Sequence, residues 1–182
     1  MSKAIGMVEY KTVSSGVVAA DAMVKASDVE ILQARTVCPG KYIVLITGDL
    51  SAVQAAVETA RTQNGKNLLN KFVLGNPHES ILPALKRKVK IEKVSALGIV
   101  ESYDAASIFV AADEAAKTAI VDLIELRVAM GMCGKSYLML TGEIAAVEAA
   151  IEKAKKAIAA NGMYLDSSII AHPDEQVRDI IM

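Results

Sequence analysis

The sequence predicts an α+β protein built from two tandem copies of one βαββαβ unit. Recurrence is the first reason. Ala4-Ile5-Gly6-Met7-Val8-Glu9 returns as Ala96-Leu97-Gly98-Ile99-Val100-Glu101, an offset of 96 − 4 = 92, and Asp21 and Lys25 return as Asp113 and Lys117 at the same offset. Gly40-Lys41 returns as Gly134-Lys135, Thr47-Gly48-Asp49 as Thr141-Gly142-Glu143, and His78 as His172, now at 134 − 40 = 94. The second copy therefore carries two extra residues between Lys117 and Gly134. Periodicity is the second reason: in each copy, short apolar runs alternate with runs of helical spacing. That order gives a four-stranded antiparallel sheet with two helices on one face, the ferredoxin-like arrangement. The copies span residues 1–90 and 94–182.

Each element has its own signal. Ala4 to Glu9 is apolar and β-type, the first strand. Ser14-Ser15-Gly16 opens a helix, with Ser14 or Ser15 as N-cap, running to Ala26 with Val17, Ala20 and Val24 on its apolar face. Val29 to Val37 and Tyr42 to Thr47 are strands joined by a turn at Cys38-Pro39-Gly40-Lys41. Proline presets φ and glycine tolerates positive φ, so Pro-Gly makes a tight exposed turn. Gly48-Asp49 starts a helix with Val53, Ala56, Val57 and Ala60 on one face, and Asn64-Gly65 stops it. Leu68 to Leu74 is the fourth strand, and Pro77-His78-Glu79 opens a short helix with Ile81, Leu82 and Leu85 as its apolar side. The run Lys86 to Lys93 is basic without interleaved aromatics, a solvated linker. In the second copy Ile144, Val147, Ile151, Ala154 and Ile158 step by three and four, and Glu152 can pair with Lys156.

Composition excludes several classes. The 182 residues carry net charge −1 and are 53% hydrophobic but only 4% aromatic. The balance gives no electrostatic footprint for nucleic acid, and no apolar run spans a membrane. Strand one begins almost at once, so no secretory signal is expected, and two cysteines are no disulfide framework; the expected setting is cytoplasmic. Walker A, His-Glu-x-x-His, Gly-x-Ser-x-Gly and dinucleotide fingerprints are all missing, so no catalysis is expected.

Both cysteines lie at equivalent turns: Cys38-Pro39-Gly40-Lys41 and Met132-Cys133-Gly134-Lys135. Read from the residues alone, Cys38 is either a small apolar packing residue or an exposed ligand, and the two alternatives stand level. A chain without Cys-x-x-Cys cannot build an iron–sulfur site by itself. His78 and His172 have an ordinary reading as helix-start caps, and Lys25 and Lys117 as surface lysines.

The ordered motifs Ala-Ile-Gly-Met-Val-Glu, Asp-Ala-Met-Val-Lys-Ala, Gly-Lys, Gly-Asp and Pro-His-Glu resemble the shell proteins of bacterial microcompartments, in their tandem-domain, trimer-forming class. The resemblance implies two shell domains per chain and a pseudohexameric homotrimer that tiles with other shell proteins. It implies a central pore lined by Cys38, Pro39, Gly40, Lys41, Met132, Cys133, Gly134 and Lys135. It also implies tile edges at Lys25, Lys117 and His78. The departures are Asn76 and Ala171, where the family often has Arg, and His172-Pro173 in place of Pro-His. Cysteine before Pro-Gly-Lys is similar to the iron–sulfur shell proteins of propanediol-utilisation microcompartments. That similarity implies one [4Fe–4S] cluster per trimer, held by Cys38 of three chains, which passes electrons across the shell to or from an enclosed redox enzyme. Cys133 aligns opposite Pro39 and is not implied as a ligand. A cluster-free pore for small metabolites is the alternative.

Overall fold

A computed structural model describes residues 3–91 and 93–181. Met1 and Ser2 of the expected first strand's lead-in, and Glu92 of the basic run, lie outside them. The fold divides into two units, one ending at Pro77 and one beginning at His78.

In the first unit, β1 (Ala4–Tyr10), α1 (Val13–Ala26), β2 (Val29–Val37), β3 (Lys41–Gly48), α2 (Leu50–Asn64) and β4 (Leu68–Leu74) follow in the expected order. The sheet order is β2-β3-β1-β4, every neighbouring pair antiparallel. Such an order arises when each βαβ crossover skips one position that the other crossover then fills. The strip Val53, Ala56, Val57 and Ala60 of α2 is buried against the sheet as its spacing predicts.

Helix α1 corrects two expectations. Its N-cap is Thr12, whose Oγ1 accepts the Ser15 N–H at 3.4 Å, rather than Ser14 or Ser15. Ser15 instead turns inward and accepts a hydrogen bond from Asn67 Nδ2 at 2.8 Å. Nor is the buried face built on Val17 and Val24. It is Gly16, Ala19, Ala20 and Met23 that are buried, while Val17 and Val24 are exposed. Small residues take the inner face because the helix lies close: a Cβ on Gly16 would stand 2.7 Å from Tyr42 Cβ.

The second unit repeats the plan. It has β5 (Ala96–Ser102), α4 (Ser107–Thr118), β6 (Asp122–Arg127), β7 (Ser136–Gly142), α5 (Ile144–Ala159) and β8 (Tyr164–Ile170), with sheet order β6-β7-β5-β8. On α5, Val147, Ile151, Ala154 and Ile158 are buried; Ile144, at the helix start, is partly exposed. Lys156 and Glu152 pair at 3.3 Å. Two short helices join this unit. The helix α3 (Ile81–Leu85) buries Ile81, Ala84 and Leu85, packing on β6 and α4. A helix with no counterpart among the sequence expectations, α6 (Glu175–Ile181), places Ile181 against Val94, Leu97 and Ile124. The basic run is exposed at Lys86, Arg87, Lys88, Lys90 and Lys93, though Arg87 is not idle, as shown below.

Candidate functional site

The first cysteine turn is a three-residue connection. Val37 and Lys41 are the last paired residues of β2 and β3, so Cys38, Pro39 and Gly40 form the loop alone. Gly40 takes φ +74°, the left-handed value that glycine accepts without a Cβ penalty, and the Cys38–Pro39 peptide is cis. Nothing lies within 4 Å of the place where a Gly40 Cβ would be, so the loop projects into open space. Cys38 is half-buried at its base with a free thiol; Pro39 and Gly40 are exposed.

Lys41 opens β3 and turns back toward the sheet. Its Nζ donates to Glu9 Oε1 at 3.0 Å, and Glu9 is almost wholly buried. Antiparallel pairing explains the meeting: Glu9 stands opposite Ile43 and Tyr10 opposite Tyr42, so Lys41 lies just past the end of the β1–β3 ladder. A buried carboxylate needs a partner, and this lysine supplies it. The charge of Lys41 is therefore drawn inward to a buried carboxylate.

The second turn is built differently. Arg127 pairs with Tyr137, whereas Arg35 of the first unit pairs with Ile43, so both extra residues of the second copy fall in this loop. Val128 and Ala129 are buried at its base, and the Ala129 N–H donates to Ser136 Oγ at 3.0 Å. Gly131 (φ +74°), Cys133 (φ +53°) and Gly134 (φ +91°) all take left-handed backbone. A tight turn closes where Lys135 N–H donates to the Met132 carbonyl at 3.0 Å. Met132 is half-buried, Cys133 and Lys135 are exposed, and Gly134 is buried. Cys133 thus stands on a loop longer than that of Cys38 and differently held.

The edge candidates also separate. Lys25 pairs with Asp21 at 2.7 Å, both exposed; Lys117 pairs with Asp113 at 2.6 Å, where Asp113 is buried. Asp113 also accepts the His78 N–H at 2.7 Å, and His78 Nδ1 lies 2.8 Å from Ser80 Oγ. The structure therefore gathers His78 and Lys117 on one carboxylate. His172 is exposed.

One cluster escaped the sequence reading. Glu125 is buried on β6 and collects Arg87 (3.0 Å), Arg127 (3.1 Å) and the Tyr137 hydroxyl (2.9 Å). Burial, and then the hydrogen bond to Glu125, hold the Tyr137 hydroxyl above its ordinary range. The signal for half of it was present: Glu125 and Arg127 are two apart on a strand and share a face. Their counterparts Gln33 and Arg35 bond in the same way, at 3.1 Å. Arg87, in a basic linker, gave no such signal.

Among the described residues, no three His, Cys, Asp or Glu side chains come together as a metal site. Cys38 brings a half-buried thiol to the first loop and Cys133 an exposed one to the second, and among the described residues neither belongs to a group of three possible metal ligands. A thiolate is the donor type that holds iron–sulfur clusters, and the Cys38 thiol is of that type. No helix among the described residues is long and apolar enough to cross a membrane.

Comparison with known proteins agrees with this architecture. The BMC domain model matches residues 4–77 and 96–173. The bacterial microcompartment shell protein PduT of Citrobacter freundii is 36% identical over 97% of this chain and 96% of its own length. The carboxysome shell protein CcmK2 of Synechocystis is 38% identical over 85 residues, 44% of this chain and 82% of its own. A crystal structure of a microcompartment protein from Desulfitobacterium hafniense DCB superposes with a TM-score of 0.94 at 42% identity, covering 98% of this chain and 99% of that one. The chain belongs to the BMC-domain family, as a tandem-domain structural shell protein of a bacterial microcompartment.

Proposed function

We propose that the chain is a homotrimeric shell tile whose Cys38 turns surround a central pore and together hold one [4Fe–4S] cluster. Three copies of a two-domain chain supply six equivalent units, enough to close a ring of pseudo-sixfold symmetry. The observation that carries the reading is the Cys38 loop: a free thiol at the base of a projecting three-residue turn, which among the described residues belongs to no group of three possible metal ligands. A threefold axis makes one such thiol into three. When bound, the cluster would accept and release single electrons, so the tile would relay them across the shell to or from an enclosed redox enzyme. Lys25, Lys117 and His78 are assigned to the tile edge, and the second turn, Met132 to Lys135, to the pore lining beside the first. The residues 1–90 and 94–182 are the two shell domains of each tile.

Iron and acid-labile sulfide on protein purified without oxygen test this. Cys38→Ser is expected to abolish iron binding while light scattering still reports the wild-type mass, because Cys38 lies in the loop beyond the last paired residues of β2 and β3. Native protein free of iron after anaerobic reconstitution overturns the cluster and leaves a pore for small metabolites.

A further inference from the structure

The second loop gathers sulfur. The chain has eight methionines and two cysteines, and three of these residues stand in one four-residue stretch, Met130-Gly131-Met132-Cys133. The pairs Arg35 with Ile43 and Arg127 with Tyr137 fix how the two loops correspond. Between matching positions the first unit has Cys38-Pro39-Gly40, and the second has Met130 to Gly134. The two extra residues therefore come with two thioethers, where the first loop has a thiol and no methionine.

These side chains are not placed as core methionines are. Methionine ordinarily fills gaps in a core, and Met7 and Met23 do so here, both 0% exposed. Met130 is 50% exposed, Met132 is half-buried, and Cys133 is exposed with a free thiol. The loop that carries them is held at its base. Val128 and Ala129 are buried, the Ala129 N–H donates to Ser136 Oγ, and the Lys135 N–H donates to the Met132 carbonyl. The ends are thus fixed while the sulfurs stay at the surface.

The neighbouring residues select what such sulfurs can hold. From Val128 to Tyr137 the sequence has no Asp, Glu or His, so the loop offers hard cations no carboxylate and borderline cations no imidazole. Thiolate and thioether donors favour soft ions, copper(I) above all among common metals. Lys135 is exposed two residues after Cys133. A monovalent ion on a thiolate is neutral and tolerates that ammonium, whereas a divalent ion keeps a positive charge beside it.

We infer that Met130, Met132 and Cys133 form a site for one soft monovalent ion, of the copper(I) class, separate from the Cys38 loop. The Cys133 thiol releases its proton to solvent as the sulfur–copper bond forms, and the two thioethers complete a three-sulfur shell. The metal keeps its oxidation state, so no electron donor or acceptor is needed.

The test is an oxygen-free titration of the full chain with copper(I) against a chromogenic copper(I) chelator, in a Cys38→Ser background that removes the other thiol. One equivalent of copper withheld from the chelator per chain is expected. Met130→Leu and Met132→Leu keep size and apolarity. Each is expected to weaken the affinity by about tenfold or more, the least that losing even an outer partner of a metal ligand costs. Cys133→Ser is expected to abolish the competition. Two leucine variants that hold copper as tightly as their parent overturn the inference, because the thiol alone then accounts for the binding. So does a parent that withholds no copper, or a Cys133→Ser chain that withholds as much as the parent. The iron content of native protein does not enter, so the cluster reading and this one fail separately.

Discussion

A methyl group added at Gly98 would stand 2.8 Å from Val147 Cγ1 and 2.9 Å from both Ile151 Cγ1 and Leu140 Cδ1. At Gly6 the same addition meets Val53 Cγ1 at 2.6 Å. Each glycine lets the second helix of its unit press onto the middle of the sheet, so Gly98→Ala is an overpacking change. It is expected to destabilise by about 1–3 kcal/mol in urea unfolding. Tyr10 shows the opposite case, a large side chain fully buried with its hydroxyl donating to the Ala60 carbonyl at 2.7 Å. Burial raises its pKa above the ordinary 10.0, which means that the folded state favours the neutral phenol. The stability this gives is complete below pH 10 and is lost as pH rises through the raised folded value. Tyr10→Phe is expected to cost about 1 kcal/mol at neutral pH and to lose less stability than wild type as pH rises above about 10, as thermal unfolding would show. Neither glycine's role was legible in the sequence beyond its recurrence, because the reason lies on a helix some fifty residues away.

At the scale of elements, a side-chain bond to the chain entering the first helix of each unit repeats along with the strands. Thr12 Oγ1 accepts the Ser15 N–H, and Asp104 Oδ1 accepts the Ser107 N–H at 3.0 Å, the same offset of 104 − 12 = 92. Thr12→Ala is expected to cost about 1 kcal/mol, measured by chemical denaturation, since one donor of the first turn loses its partner. The helix was legible but its start was misread, because Ser14 and Ser15 compete with Thr12 on propensity alone. Tertiary contact with Asn67 decides that Ser15 faces inward. The apolar face was misread for a related reason. Valines at helical spacing mark an apolar face, and on α1 that face is not the one turned to the unit's own sheet. The hairpin turns fared better, because Pro-Gly chemistry is local: the first loop forms where the residues demand it.

For the whole molecule, the two thiols are expected to behave differently. Cys133→Ser is expected to keep the iron of native protein, about four per three chains. Cys133 lies on the longer, left-handed second loop, so its loss leaves the Cys38 loop untouched. Equal iron loss from both variants, read by iron assay against protein mass, would assign the cluster to both turns. The same difference between loops shows how a duplicated chain departs from symmetry. Two inserted residues lengthen one turn, and the other keeps its thiol beside a lysine bound to Glu9.

The sequence by itself determined the order of the strands and main helices, their duplication and the place of the turns that carry the cysteines. Those features depend on period, on proline and glycine geometry and on repeated short motifs, all of which act within a few residues. Only the tertiary structure decided which of the two equal patterns is covered. Lys41 reaches Glu9, Arg87 reaches Glu125, and His78 reaches Asp113 across many positions of chain. Phe109 is buried where Val17 is open because a separate segment lies over one face and not over the other. A face's own residues state that it is apolar; what comes to cover it is settled by where the rest of the chain, or another copy of it, can reach.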